Sequence, residues 1–133
     1  SGQERMLVDI EGHGREDLDP AVDLSRTVGW FTSLYPVALD ARGPLRDAVR
    51  RVKEALRAVP RRGVGYGALR HFGTPAQREA LQALPRAQVV FNYLGQFDDR
   101  PQDGTAGGWT LAPEPSGAGV DAGAPLLHEF TVN

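Results

Sequence analysis

Alternating hydrophobic and polar residues predict strands near both ends of the chain. Residues 4–11, ERMLVDIE, give two sets of side chains on opposite sides: Met6, Val8 and Ile10, and Leu7, Asp9 and Glu11. A repeat of two residues is typical of a β-strand. Residues 126–132, LLHEFTV, alternate in the same way, and the glycines and proline of residues 12–25 predict a loop.

Two internal segments also predict strands. Residues 26–39, RTVGWFTSLYPVAL, are rich in β-branched and aromatic residues, which favour a long strand, and Pro36 indicates a sheet edge or a bend. Residues 87–97, AQVVFNYLGQF, begin as a buried strand and turn polar at Asn92. The Gly- and Pro-rich residues 98–125 predict a long irregular segment around a short strand at GWTLA.

Helices are predicted between these strands. In residues 44–59, apolar side chains recur every three or four positions and form one stripe: Leu45, Val49, Val52, Leu56 and Val59. A proline and a glycine end this helix, and residues 63–72 turn into a short one. Thr74 is predicted to cap a further helix over residues 74–84, with a proline at its first position.

The composition is that of one globular domain. The 133 residues are 41% hydrophobic and 24% charged. No apolar run approaches the roughly 18 residues that a membrane span needs. The chain has no cysteine, which excludes disulfides, a thiolate nucleophile and zinc sites that use cysteine. Because it also lacks a signal peptide and metal-ligand spacing, we predict a cytoplasmic protein without a metal.

The net charge of −2 is unevenly distributed. Residues 41–86 hold eleven basic and three acidic groups, whereas the segments on either side are acidic. Five of the basic groups fall on the first predicted helix: Arg46, Arg50, Arg51, Lys53 and Arg57. They contact an acidic protein partner or form a solvated helix face. Nucleic acid is disfavoured because no aromatic residue is interleaved with them, and the glycine-spaced residues 63–67 lack the pattern of a nucleotide-binding loop.

Four stretches, taken in order, resemble one family. They read EGHGRED (11–17), DLSRTVGWFTSLYPVAL (23–39), VPRRGVGYGALR (59–70) and VVFNYLGQFD (89–98). In this order and with these gaps they are similar to the C-terminal motifs of the epimerization domain of nonribosomal peptide synthetases, a relative of condensation domains. EGHGRE and VGWFTSLYP separate the epimerization type from plain condensation domains.

The resemblance implies an α/β fold, with a mixed β-sheet flanked by helices. It corresponds to the C-terminal lobe of a chloramphenicol-acetyltransferase-like two-lobe fold. The N-terminal lobe of the family, with its His-His-x-x-x-Asp-Gly motif, has no counterpart here, because none of the three histidines lies in such a motif. We therefore expect residues 1–133 to be one fragment of a larger domain, inactive when alone.

Glu11 is the first candidate for chemistry. It ends the polar side of the first strand beside Gly12, which leaves room for a substrate, although this pattern also describes a loop or capping carboxylate. Asp9, on the same side of the strand, is predicted to assist it through like-charge repulsion. The resemblance implies that Glu11 is the catalytic carboxylate of the family, which removes or returns the Cα proton of a thioester.

Asn92 and Tyr93 end a buried strand where it turns polar, a common place for site residues. Tyr93 can donate its phenolic hydrogen to an enolate oxygen, and Asn92 can fix its orientation. The alternatives are a buried tyrosine with a satisfied hydroxyl and an asparagine at a turn. The resemblance implies functional roles for both residues.

The remaining polar residues of the first motif are predicted to be structural. His13 invites pairing with Glu11, but a supporting role is favoured because a glycine separates the two. Arg15, Glu16 and Arg26 are predicted to form an ion-pair network that holds the loop.

By resemblance, the activity is epimerization of an L-residue on a phosphopantetheinyl thioester to an L/D mixture. No cofactor of its own is implied, since the pantetheine arm belongs to the partner carrier domain. The implied partners are the N-terminal lobe and the peptidyl carrier protein, with neither nucleic acid nor membrane. The alternative is a non-catalytic, condensation-like interaction module that recruits a carrier or tailoring protein.

Overall fold

A four-stranded mixed sheet forms the centre of the fold. The structure, a computed structural model, describes residues 5–16, 19–93, 114–115, 117, 121 and 123–133. The strands, in the spatial order β2-β1-β3-β4, are β1 (Arg5–Gly12), β2 (Ser33–Asp40), β3 (Val89–Asn92) and β4 (Phe130–Val132). β2 is antiparallel to β1, whereas β1 is parallel to β3, and β3 to β4. The predicted mixed sheet is therefore confirmed.

The helices lie between β2 and β3 in the chain. They are α1 (Leu45–Ala58), α2 (Val64–Phe72) and α3 (Pro75–Gln82), with a 3-10 turn at Pro60–Gly63. α1 and α2 lie against β2. α3 begins with a capping box, in which the backbone N–H of Gln77 donates to the Thr74 hydroxyl and the backbone N–H of Thr74 donates to the Gln77 side chain. Each predicted helix is confirmed to within two residues at its ends.

One face of the sheet is packed. The cross-strand partners Val8 and Val37 are 3% and 7% exposed, and Tyr35 on the same face is also buried. Gly63 lies directly on the Tyr35 ring with a φ of 80°, and a Cβ added to it would lie 1.9 Å from the ring. The 3-10 turn thus packs on this face and ends at a position that only glycine fits. The opposite face of β1 bears its charged side chains: Arg5, Asp9 and Glu11.

β2 is shorter than predicted. The strand begins at Ser33, whose partner Gly12 is the last residue of β1, so the preceding residues have no strand to pair with. Val28 and Trp30 are 99% and 91% exposed. The predicted strand over residues 26–32 is therefore wrong, because β-propensity is realised only against cross-strand neighbours. Pro36 does lie in an edge strand, as predicted.

α1 leaves much of its apolar stripe uncovered in the described structure. Leu45 and Val49 are 79% and 57% exposed, and Ala48 is the buried residue of the helix. The predicted start also differs slightly, since Pro44 is the N-cap rather than the first helical residue. The apolar spacing predicts the stripe correctly, but not what covers it.

The chain divides into two compact units. One is Ser1–Tyr93 with His128–Asn133, which holds the sheet and the helices, and the other is Leu94–Leu127. The predicted strand at GWTLA and most of residues 98–125 lie outside the described residues. That residues 1–133 form one fragment stays a prediction. No helix of the described part is long and apolar enough to cross a membrane, and the cytoplasmic location also stays a prediction.

Candidate functional site

Glu11 and Asn92 face each other at the carboxyl ends of two parallel strands. They are Cα partners in the register of β1 and β3, whose backbones lie about 4.8 Å apart. The Glu11 side chain is 26% exposed, so it is partly accessible to solvent. In open α/β sheets, ligands bind outside the carboxyl ends of parallel strands. Two of the three predicted site residues therefore lie together at such an edge.

His13 completes this cluster. Its Nε2 lies 2.6 Å from Asn92 Oδ1 and 3.9 Å from Glu11 Oε1. Because an amide oxygen only accepts, the Nε2 bears the hydrogen and donates it to Asn92. The amide nitrogen of Asn92 has no hydrogen-bond partner among the described residues, so its two hydrogens remain available. The contact with Asn92 spans 79 residues, and no local pattern in the sequence indicates it.

Tyr93 follows this cluster but stands apart from it. Its side chain is 61% exposed. Within the described part of the chain, no hydrogen bond joins its hydroxyl to Glu11 or Asn92. The catalytic role of Tyr93 stays a prediction, as do those of Glu11 and Asn92.

Two charged side chains hold the loop that follows Glu11. Arg15 donates to two backbone carbonyls in the segment before β2. Glu16 pairs with Arg62 of the 3-10 turn at a distance of 3.3 Å. Among the described residues, no ion pair joins Arg15, Glu16 and Arg26 as predicted; Arg15 and Glu16 instead contact distant backbone and the turn. The fold brings these partners close, whereas their positions in the sequence do not.

Tyr35 lies beneath this loop on the packed face. Burial raises the pKa of its phenol, and the nearby charge of Glu16 raises it further, while Arg62 offsets part of the effect. The raised pKa keeps the hydroxyl protonated across the neutral range. Tyr35 is 8% exposed and packs against Gly63.

Asp9 has a partner that the sequence did not suggest. It lies on the same face of β1 as Glu11, as predicted, but its Oδ2 is 2.7 Å from Nε2 of His128. The two side chains are 19% and 12% exposed, respectively. The two residues are 119 positions apart in the chain, which explains why no sequence pattern indicates the pair. In the described residues, no group of three or more His, Asp or Glu side chains could hold a metal ion.

Comparisons with known proteins give the family. The condensation-domain family model matches residues 1–117. Two synthases of Brevibacillus parabrevis are similar: a linear gramicidin synthase component is 50% identical over 77% of this chain, and tyrocidine synthase 1 is 47% identical over 71% of it. The crystal structure of the epimerization domain from the third module of tyrocidine synthetase B matches 84% of the chain, with a TM-score of 0.66 and 39% identity.

These similarities concern a small part of each relative. The chain spans 1% of the gramicidin synthase component, 9% of tyrocidine synthase 1 and 24% of the crystallised epimerization domain. The structural match confirms the predicted chloramphenicol-acetyltransferase-like fold, with its mixed sheet and flanking helices. The chain therefore belongs to the condensation-domain family of nonribosomal peptide synthetases.

Proposed function

We propose that this chain supplies one side of an epimerization site, which converts an L-residue on a carrier-bound thioester to an L/D mixture. The similarity to an epimerization domain at 39% identity supports this proposal. The observation that carries it is the pairing of Glu11 with Asn92 at the carboxyl ends of β1 and β3. Among the described residues, the ion-pair partner of Glu11 is a histidine 3.9 Å away rather than an arginine or lysine.

The proposed reaction exchanges one proton and involves no oxidation. A base takes the proton from Cα, and the electron pair of the broken C–H bond delocalises onto the thioester carbonyl oxygen. A proton then returns to Cα from the opposite face and restores the thioester. The thioester C–H is a weak acid, so the site needs a base at the carbon and hydrogen-bond donors where the oxygen gains charge.

The described side chains suit these requirements. Glu11 accepts or returns the Cα proton on one face of the substrate. His13 occupies the Asn92 oxygen, which leaves the Asn92 amide hydrogens to donate to the enolate oxygen. Tyr93 is proposed as a further donor, and its exposure leaves it free to contact a substrate. The group on the opposite face would come from the N-terminal lobe implied by the resemblance.

The proposed partners follow from this chemistry. The thioester arm is phosphopantetheine carried by a peptidyl carrier domain, and the chain itself is proposed to need no cofactor. Basic side chains of α1 are proposed to contact an acidic carrier. Two of the five are engaged within the chain, Arg50 by Glu54 at 3.0 Å and Arg51 near Asp40, so the docking set would be the other three: Arg46, Lys53 and Arg57.

A second candidate is a non-catalytic, condensation-like module that recruits a carrier or tailoring protein. One observation favours it: the matching family model describes condensation domains in general. Such a module would need the surface of the domain but not the carboxylate of Glu11.

Hydrogen exchange at the substrate Cα tests the proposal. A complete synthetase module that contains this sequence, with an L-aminoacyl group loaded on its carrier, is incubated in deuterated water. We expect deuterium to enter Cα, and Glu11→Gln to slow its entry by at least about 100-fold, since general acid–base groups contribute roughly 10²–10⁴-fold. Glu54→Gln on α1 is the matched control and retains the wild-type rate. Unchanged exchange in Glu11→Gln would contradict the role of Glu11, and absence of exchange in the wild type would favour the recruiting module.

A further inference from the structure

The Asp9–His128 pair joins the strand of Glu11 to the far side of the sheet. His128 lies two residues before β4, while Asp9 lies in β1, and β3 runs between these two strands. The His128 Nε2 lies 2.7 Å from Asp9 Oδ2. Because a carboxylate only accepts, Nε2 bears the hydrogen and donates it. The hydrogen bond therefore crosses β3 and connects β1 to the start of β4.

His128 is held in place by its neighbours in the chain. The backbone N–H groups of Glu129 and Phe130 both donate to the carbonyl oxygen of Gln88, at 2.8 and 3.1 Å. The Gln88 side chain also donates to the Glu129 carboxylate at 3.0 Å. These contacts anchor the chain beside His128 to the residue before β3. The imidazole thus approaches Asp9 from a fixed backbone.

Asp9 and Glu11 are neighbours on one face of the same strand, so a contact that fixes Asp9 also restrains the position of Glu11. They project from the same face of β1, two residues and about 6.6 Å apart along the strand. Val90, the β3 partner of Asp9, is 8% exposed, whereas Asn92, the partner of Glu11, lies at the open end of the strand. The hydrogen bond of Asp9 is accordingly the last solvent-shielded contact on β1 before the strand reaches the candidate site. An exposed surface ion pair would contribute little, but this one is mostly shielded from solvent.

We propose that His128 is a positioning residue, which acts through Asp9 to hold the end of β1, and with it the Glu11 carboxylate, in its reactive place. This inference rests on the proposed function of Glu11. His128 touches no reacting atom. A displacement of about 1 Å at a reacting group costs on the order of 100-fold in rate, so a support of this kind has a measurable kinetic effect.

Two substitutions separate positioning from simple stability. Glutamine places an amide N–H close to the position of the histidine Nε2, whereas leucine fills a similar volume without a donor. In the complete module, we expect His128→Leu to lower the kcat of deuterium exchange by about 10-fold to 100-fold with KM within about two-fold, as supporting residues of other sites do. His128→Gln should stay within about three-fold of wild type. The control is His71→Leu, which removes an exposed histidine on α2.

Asp9→Asn provides a second route if His128→Leu does not fold. It keeps an acceptor oxygen but loses the charge, and we expect a smaller fall in kcat. The double variant Asp9→Asn/His128→Gln should show a fall different from the product of the two single falls, because both residues act through one hydrogen bond. Rates are compared per folded molecule.

A spectroscopic measurement keeps this inference separate from the proposed function. In the ¹³C NMR spectrum of the same protein without substrate, His128→Leu should shift the Glu11 carboxyl signal and His128→Gln should leave it in place. If the wild type does not exchange the Cα proton, the proposed function fails, and the carboxyl signal still decides whether His128 positions Glu11. A wild-type kcat and an unmoved signal in His128→Leu, or equal losses in the glutamine and leucine variants, would overturn the inference.

Discussion

The two ends of the β1–β2 pair each hold a carboxylate, and the two carboxylates have different surroundings. At one end, Asp40 Oδ2 lies 2.6 Å from the Arg42 guanidinium, and two further arginines lie within 4 Å of its carboxylate. At the other end, the ion-pair partner of Glu11 is His13, at 3.9 Å. Both carboxylates belong to the same sheet face, so sheet geometry alone does not distinguish them.

The difference sets Asp40, a carboxylate held by arginines, apart from Glu11, the carboxylate proposed to exchange a proton with the substrate. Hydrogen bonds from Arg42 hold the pKa of Asp40 far below its usual range, and Arg51 adds to the effect. A carboxylate held in this way stays ionised and exchanges protons poorly. Within the described part of the chain, the ion-pair partner of Glu11 is His13, and no guanidinium is paired with its carboxylate.

The largest expected effect comes from neutralising each carboxylate in turn. Glu11→Gln should slow Cα deuterium exchange by at least about 100-fold while the temperature of unfolding stays near that of wild type. Asp40→Asn should do the reverse: exchange per folded molecule stays within about two-fold, and the temperature of unfolding falls because three arginines lose the negative charge of their common partner. Equal kinetic losses in the two variants would abolish the distinction.

Gly63 packs on Tyr35 near the Glu11 end of the sheet, and a substitution there tests the stability of this packing without changing a candidate site residue. Gly63→Ala should lower the free energy of unfolding by roughly 2 kcal/mol or more, since a left-handed φ costs an alanine about 1–2 kcal/mol and the added Cβ meets the Tyr35 ring. Gly65→Ala is the matched control, because in the described structure nothing outside its own helix backbone lies within 4 Å of the added Cβ, and alanine favours the helix by about 0.5–1 kcal/mol. Urea unfolding monitored by circular dichroism gives both values, and equal effects would contradict the close packing.

Substitutions of His13 test whether its hydrogen bond orients the Asn92 side chain in the candidate site. His13→Leu removes the donor to Asn92, and we expect kcat for deuterium exchange to fall about 10-fold because the Asn92 amide is no longer fixed. His13→Gln, which can donate to the same oxygen, should recover most of the rate. If both variants match the wild type, the orientation of Asn92 does not depend on His13.

The smallest expected effect is on the free energy of unfolding at acidic pH. Because the pKa of Asp40 is lower in the folded than in the unfolded protein, its contribution to stability is complete above the unfolded value of about 3.9 and is lost as the pH falls below it. The free energy of unfolding of Asp40→Asn should therefore fall less between about pH 5 and pH 2 than that of the wild type. Identical acid profiles for Asp40→Asn and the wild type would show that the arginines do not stabilise the ionised form.

The parts of the fold that depend on neighbouring residues could be predicted from the sequence. α1 and α3 follow from apolar spacing and from proline and threonine at their starts, all within a few residues. β1 follows from strict alternation. The prediction fails at residues 26–32, where β-branched and aromatic side chains favour a strand that the end of β1 leaves without a partner.

In the candidate site, too, the sequence predicts local features but not contacts between distant segments. Glu11 and Asn92 were identifiable as polar ends of strands, and their motifs resemble those of a known family. The hydrogen bonds from His13 to Asn92 and from His128 to Asp9 depend on the parallel pairing of β1, β3 and β4, which no local pattern specifies. Pairing between distant strands is decided by the packing of the whole sheet.

The parallel pairing of β1 with β3 also fixes the order in which the sheet can form during translation. Glu11 leaves the ribosome 81 residues before its partner Asn92. The β1–β2 pair is complete at Asp40, 52 residues before Asn92. At about 5–20 residues per second, it waits roughly 3–10 s before the candidate site can assemble. His128 emerges later still, so the contact with Asp9 would close the sheet last. During that interval the nascent β1 presents an unpaired edge, and its Asp9 and Glu11 carboxylates would keep that edge charged and disfavour pairing with other chains.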